Sequence, residues 1–228
     1  MTSRSAVPIT AAATLMLALF VGCGGKTGGA SVATSSPNVV IIFLDDVGYG
    51  DLGTYGHPTI RTPHMDRMAA EGVTLTGFYA ASPSCSPSRA GLLTGRYPVR
   101  AGIFWALGPE EENGIPTEEW TLAEALHERG YRTAAVGKWH LGSWPGLLPT
   151  EHGFDSFYGL LYSNDMIRPW VNTDRPLELY RDTEPIEHPV DQATLTRRYT
   201  EESVRFIESS VAGDEPFFLY LAHSMAHV

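Results

Sequence analysis

The first strong pattern is a continuous apolar run, Val39 to Leu44, in the segment NVVIIFLDDVGYGD. An uninterrupted β-branched run of this kind predicts a strand buried on both faces, as in a parallel sheet. Further on, Thr62-Pro63 offers an N-cap followed by Pro at the first helical position. Met65, Met68 and Ala69 then fall on one face, and Gly72 ends a short amphipathic helix. In SPSCSPSRAGLLTGRYP the stretch Ser88 to Thr94 is helix-compatible and Gly95 can end it, which places Cys85 at a helix N-terminus. Thr121 and Glu124 form a capping box ahead of Leu122, Ala125 and Leu126, and Gly130 closes this third helix. Tyr131 to Val136 then predicts a strand running into Gly137-Lys138-Trp139-His140.

Between Leu141 and about Val190 the content of Pro, Gly and Asp rises and periodicity fades, so loops and short strands are expected there. Val204, Ile207 and Val211, with Tyr199 and Phe206, fit a helix leading into the apolar strand Phe217 to Ala222. Strand alternating with helix implies an α/β fold with a mostly parallel central sheet flanked by helices, in which ligands collect beyond the carboxyl ends of the strands. Those ends carry Asp45-Asp46, Lys138 with His140, and His223 with His227. No internal repeat interrupts residues 37–228, which read as one domain.

The N-terminus changes the picture. Residues 1–22 have a short polar head with Arg4 and an apolar stretch from Ala11 to Val21, the pattern of an export signal. That stretch is shorter than the roughly 20 residues of a membrane-spanning helix. Val21-Gly22-Cys23 resembles a bacterial lipobox, which implies lipid on Cys23 and an exported, periplasmic or outer-surface, membrane-tethered protein. Residues 23–36 are rich in Gly, Ser and Thr, a tether reaching roughly 20 Å by random-coil scaling. Cys85 is then left without a disulfide partner in a compartment that permits disulfides.

Composition narrows the function classes. With 43% hydrophobic and 18% charged residues the chain is neither a disordered tail nor a coiled coil. A net charge of −10 without a Lys/Arg cluster argues against a nucleic-acid binder, so any anionic ligand must be held by a few local cations. Taken singly, the candidate groups have plain alternatives. Asp45 and Asp46 could cap a strand end or ligate a hard cation. Lys138 could be a surface lysine, and His140, His223 and His227 could be structural. A Cys before a helix is usually buried and inert, although the helix N-terminus and the nearby Arg89 are expected to lower the pKa of Cys85.

Together, Cys85-Ser86-Pro87-Ser88-Arg89 followed by Ala90-Gly91-Leu92-Leu93-Thr94-Gly95-Arg96 resembles the sulfatase signature around its modified cysteine. Gly130 to His140, GYRTAAVGKWH, resembles the second signature, and the Asp45-Asp46 and Phe217 to His227 segments fall in the family's order. The resemblance is to formylglycine-dependent, arylsulfatase A-like enzymes of the alkaline phosphatase superfamily. It implies that a formylglycine-generating enzyme oxidises Cys85 to formylglycine, whose hydrate is the nucleophile. It further implies Ca²⁺ on Asp45, Asp46 and residue 85, and Arg89 neutralising that residue. Lys138 would contact the sulfate, His140 would hydrogen-bond residue 85, and His227 rather than His223 would serve as leaving-group acid. The substrate implied is a sulfate ester, an aryl sulfate or a sulfated sugar.

The family has further residues, an Asp-Asn pair, a second Lys and a C-terminal domain, that have no counterpart in this sequence. It therefore reads as the N-terminal part of the catalytic domain, expected to bind Ca²⁺ weakly and to turn over little. Two alternatives stand beside a sulfuric ester hydrolase: a phosphomonoester or phosphonate hydrolase of the same superfamily, and a non-catalytic lipid-tethered binding protein.

Overall fold

The computed structural model describes residues 36–227. The strands are β1 (Val39–Phe43), β2 (Arg132–Lys138), β3 (Ser156–Leu160), β4 (Leu179–Arg181), β5 (Glu184–Glu187) and β6 (Phe217–Ala222). The helices are α1 (Pro63–Glu71), α2 (Cys85–Thr94), α3 (Leu122–His127) and α4 (Leu195–Ala212). One sheet runs in the order β1-β6-β2-β3-β4-β5. Its first four strands are parallel and the last two antiparallel, so the expected mostly parallel α/β sheet is present.

Burial follows position in the sheet. All six residues of β6 are buried, as befits an apolar run with a parallel neighbour on each side. The expectation that β1 is buried on both faces is corrected. Among the described residues β1 is an edge strand, and its burial alternates, leaving Val40 and Ile42 44% and 52% exposed. An apolar run cannot say how many neighbours its strand has. Within the core, Phe154 stacks near Phe218 and Tyr220, and the Trp139 ring meets Phe154 edge-on. Helix α4 packs across β2, β6 and β3, with Leu195 and Tyr199 fully buried.

Local chemistry sets the helix ends. The Thr121 hydroxyl accepts from the Glu124 backbone while the Glu124 carboxylate accepts from Thr121 N, the reciprocal capping box the sequence predicts. Helix α1 begins as expected at Pro63, but the Thr62 side chain caps no backbone N–H of it. Its hydroxyl donates to Asp66 and accepts from Gly53 N, and no residue of α1 is buried. The segment after Leu141 holds only the short strands β3 to β5 and single 3-10 turns before α4.

Gly137 fixes how β2 ends. Its φ is +110°, and a Cβ there would lie 1.8 Å from the Ala222 carbonyl oxygen. Only glycine lets β6 come this close at that backbone angle. The next residue is Lys138, so this close pairing of β2 with β6 carries the lysine to the carboxyl-terminal edge of the sheet.

Candidate active site

Four polar side chains meet where β1 and β2 end and α2 begins. Asp45 follows β1, Cys85 opens α2, Arg89 lies one turn later, and Lys138 closes β2. Lys138 and Arg89 are fully buried and Asp45 nearly so. The Lys138 ammonium is 2.5 Å from Asp45 Oδ2, 2.8 Å from Ser163 Oγ and 3.4 Å from Cys85 Sγ. Arg89 Nη2 is 3.4 Å from Asp45 Oδ1, and Nη1 donates to the Lys138 carbonyl at 2.5 Å. The guanidinium also rests over the Phe43 ring at 5.1 Å. Two buried cations thus flank one buried carboxylate and one thiol.

The charges set the proton affinities. Burial alone would raise the Asp45 carboxyl, but Arg89 and Lys138 outweigh it and hold the group below its ordinary value, so it is ionised at neutral pH. Cys85 behaves oppositely to expectation. Burial is the largest influence and pushes the thiol up, Asp45 adds to this, and Lys138 and Arg89 only partly offset it. The cysteine is therefore a thiol rather than an activated thiolate, which corrects the lowered value expected from its place at a helix N-terminus.

His140 is buried and has φ +58°. Its Nε2 is 2.8 Å from the Leu107 carbonyl oxygen. That oxygen can only accept, so Nε2 carries the proton and Nδ1 is a bare acceptor. Burial, with the nearby Lys138 and Arg89 charges, depresses the imidazole to about 3 and keeps it neutral. The expected hydrogen bond from His140 to residue 85 is not made. Nδ1 has no partner among the described residues. Leu107 is tied back to the site as well, its N–H donating to Ser86 Oγ at 3.0 Å.

Of the two candidate histidines after β6, the structure brings His227 to the site. Its Nε2 is 3.6 Å from Asp46 Oδ2, and Asp45, Cys85 and His227 offer ligand atoms within 4.8 Å of one another. His223 instead faces Tyr199, at 6.2 Å between ring centroids, and its N–H donates to the Phe43 carbonyl. Asp46 has φ +56° and a side chain 59% exposed, so it borders the cluster rather than lying inside it. Sequence reasoning missed Ser163, Ser86 and the Leu107 carbonyl. Ser163 lies in the segment without periodicity and Leu107 acts through its backbone, so neither carries a sequence signal.

The donor set suits a hard cation only in part. Asp45 and Asp46 supply carboxylate oxygens, whereas a thiol at position 85 is a soft ligand. An oxygen at position 85 would join the Asp45 carboxylate beside His227, with Asp46 at the border of the cluster.

The family model described as Sulfatase matches residues 37–228. The chain belongs to the sulfatase family. Among curated proteins, N-acetylgalactosamine-6-sulfatase of Canis lupus familiaris is 42% identical over 238 aligned positions, covering 96% of this chain and 45% of that protein. Arylsulfatase G of Rattus norvegicus is 40% identical over 217 positions, covering 84% of this chain and 41% of that protein. Among solved structures, "Crystal structure of Ps i-CgsB in complex with k-i-k-neocarrahexaose" superposes with a TM-score of 0.74 at 34% identity, covering 84% of this chain and 46% of that one. The chain spans less than half the length of these relatives. Sulfatase membership and the sulfatase-like sheet expected from the two signatures both hold.

Proposed function

We propose that this chain carries the nucleophile and part of the anion-binding residues of a sulfuric ester hydrolase acting on sulfated sugars. The observation that carries the reading is the burial of Lys138, Arg89 and Asp45 around a single cysteine at the sheet's carboxyl edge. Two buried cations exceed what one carboxylate needs, and an anionic sulfuryl group is the partner that uses the surplus. The relatives, an N-acetylgalactosamine-6-sulfatase and a structure in complex with a neocarrahexaose, support a sugar as the esterified alcohol.

A raised thiol pKa makes an unmodified Cys85 a poor nucleophile, and conversion to hydrated formylglycine by a formylglycine-generating enzyme removes that difficulty. One hydroxyl of residue 85 gives its proton to the Asp45 carboxylate, whose Oδ1 lies 3.6 Å from Cys85 Sγ, and attacks sulfur as the bond from sulfur to the sugar oxygen breaks, that oxygen leaving with a proton from His227. The second hydroxyl then gives up its proton as its oxygen closes the C=O double bond, the C–O bond to sulfate breaks, and water rehydrates the aldehyde. His140 Nδ1, an acceptor without a partner among the described residues, is assigned the proton of that second hydroxyl as sulfate is expelled. Lys138 binds sulfuryl oxygens, and Arg89 keeps Asp45 ionised and in place. Asp45, Asp46 and the oxygen of residue 85 would hold Ca²⁺, which when bound neutralises charge on the sulfate. A full shell of roughly six to eight ligands needs donors beyond these three residues.

Export, lipid attachment at Cys23 and a tether over residues 23–36 complete the proposal. They rest on the sequence alone, because residues 1–35 lie outside those described. No described helix is long and apolar enough to cross a membrane.

The test uses full-length protein made together with the formylglycine-generating enzyme. Nitrophenyl sulfate is expected to be cleaved faster than nitrophenyl phosphate, with sulfate released from N-acetylgalactosamine 6-sulfate. A faster phosphatase rate would transfer the site to phosphoryl chemistry, and no turnover of either ester would favour a binding protein.

A further inference from the structure

The loop after α2 leaves two aromatic rings uncovered beside the nucleophile. Ile103 and Leu107 are buried, and between them Phe104 and Trp105 are 59% and 56% exposed. The loop is anchored at its base to the site itself. Leu107 N donates to Ser86, the residue after Cys85, and Leu107 O accepts from His140. Trp105 is two residues from that anchor, a span of roughly 7 Å of extended chain.

The indole is also held in place. Trp105 Nε1 is 3.3 Å from Glu111 Oε2, while Glu111 Oε1 accepts from Gly108 N at 2.9 Å. One carboxylate therefore fixes both the ring and the loop beneath it. Phe104 lies beside the indole at 5.9 Å between centroids with a 33° tilt, so the two rings extend one surface. A large apolar ring held by its polar edge and more than half exposed is arranged to receive an apolar face.

Resting on the hydrolase reading above, we propose that Trp105, extended by Phe104, is the shelf on which the pyranose ring of the sulfated substrate lies. Pyranose C–H groups form an apolar face of matching size, and the ring hydroxyls remain free to meet polar groups at its edge. Glu111, six residues further along the chain, places its carboxylate at the edge of the indole. Trp105 is a specificity-determining residue and takes no part in bond breaking.

The test is calorimetric titration of full-length protein with N-acetylgalactosamine 6-sulfate, in a Cys85→Ala background that prevents turnover. Trp105→Ala is expected to weaken Kd about tenfold, the loss of one well-packed aromatic contact. Trp105→Phe should stay within about threefold of the parent, which a merely unfolded loop would not explain. An unchanged Kd in Trp105→Ala, or no binding by the Trp105 parent, overturns the shelf. Sulfate release by protein with Cys85 intact is scored separately. Binding that depends on Trp105 without any release would remove the hydrolase reading and leave the shelf standing.

Discussion

The neutral, buried His140 makes a quantitative statement about stability. Its imidazole titrates near 3 when folded and near 6.5 when unfolded. A group whose folded value lies below its unfolded value contributes stability that is fully present above the unfolded value and is lost as pH falls towards the folded one. Between pH 7.5 and pH 5 the unfolded chain takes up this proton and the native protein does not, which works out at about 2 kcal/mol of lost stability. The perturbation is His140→Asn, because φ +58° lies in the left-handed region that Asn tolerates. Urea unfolding at both pH values measures the change for each protein. Other histidines titrate alike in both proteins and cancel in the comparison. The wild type is expected to lose about 2 kcal/mol more than the variant over this interval. Equal losses, within about 0.5 kcal/mol, would mean that His140 is not held neutral and buried.

Three further substitutions probe the frame and the charges. Gly137→Ala would put a Cβ 1.8 Å from the Ala222 carbonyl, and is expected to cost at least about 3 kcal/mol or to abolish soluble protein, as read from thermal melts and yield. Lys138→Met removes one cation from a buried cluster and is expected to destabilise by about 3 kcal/mol in denaturant titration. It should also raise the Asp45 carboxyl towards or past its unfolded value, so that the variant loses less stability than the wild type on acidification through the carboxylate range. Thr121→Ala removes the capping box and the hydroxyl bond to the His152 carbonyl. A loss of about 1–2 kcal/mol in urea unfolding is expected, with no change in chemistry at residue 85.

Much of this was legible in the sequence, for reasons that differ by residue. The Thr121–Glu124 capping box is local, so four residues of sequence suffice to specify it. The meeting of Asp45, Cys85 and Lys138 is not local. It follows from the parallel sheet, which gathers strand ends, and from signatures that mark the same residues. What stayed hidden depends on neighbours. The apolar run of β1 is the same sequence whether it forms a central or an edge strand. The Cys85 thiol lies at a helix N-terminus, yet burial outweighs that position and the nearby cations. His140 turns to a backbone carbonyl, a partner with no side-chain identity to read.

The central claim is that residue 85 acts as an oxidised, oxygen-bearing nucleophile. The most direct measurement is sulfate release by full-length protein made with the formylglycine-generating enzyme, paired with the mass of the peptide containing residue 85. The account predicts an aldehyde at that position and a rate at least about a thousandfold lower in Cys85→Ala. An unmodified thiol in fully active protein, or an alanine variant that hydrolyses as fast as the wild type, would contradict it.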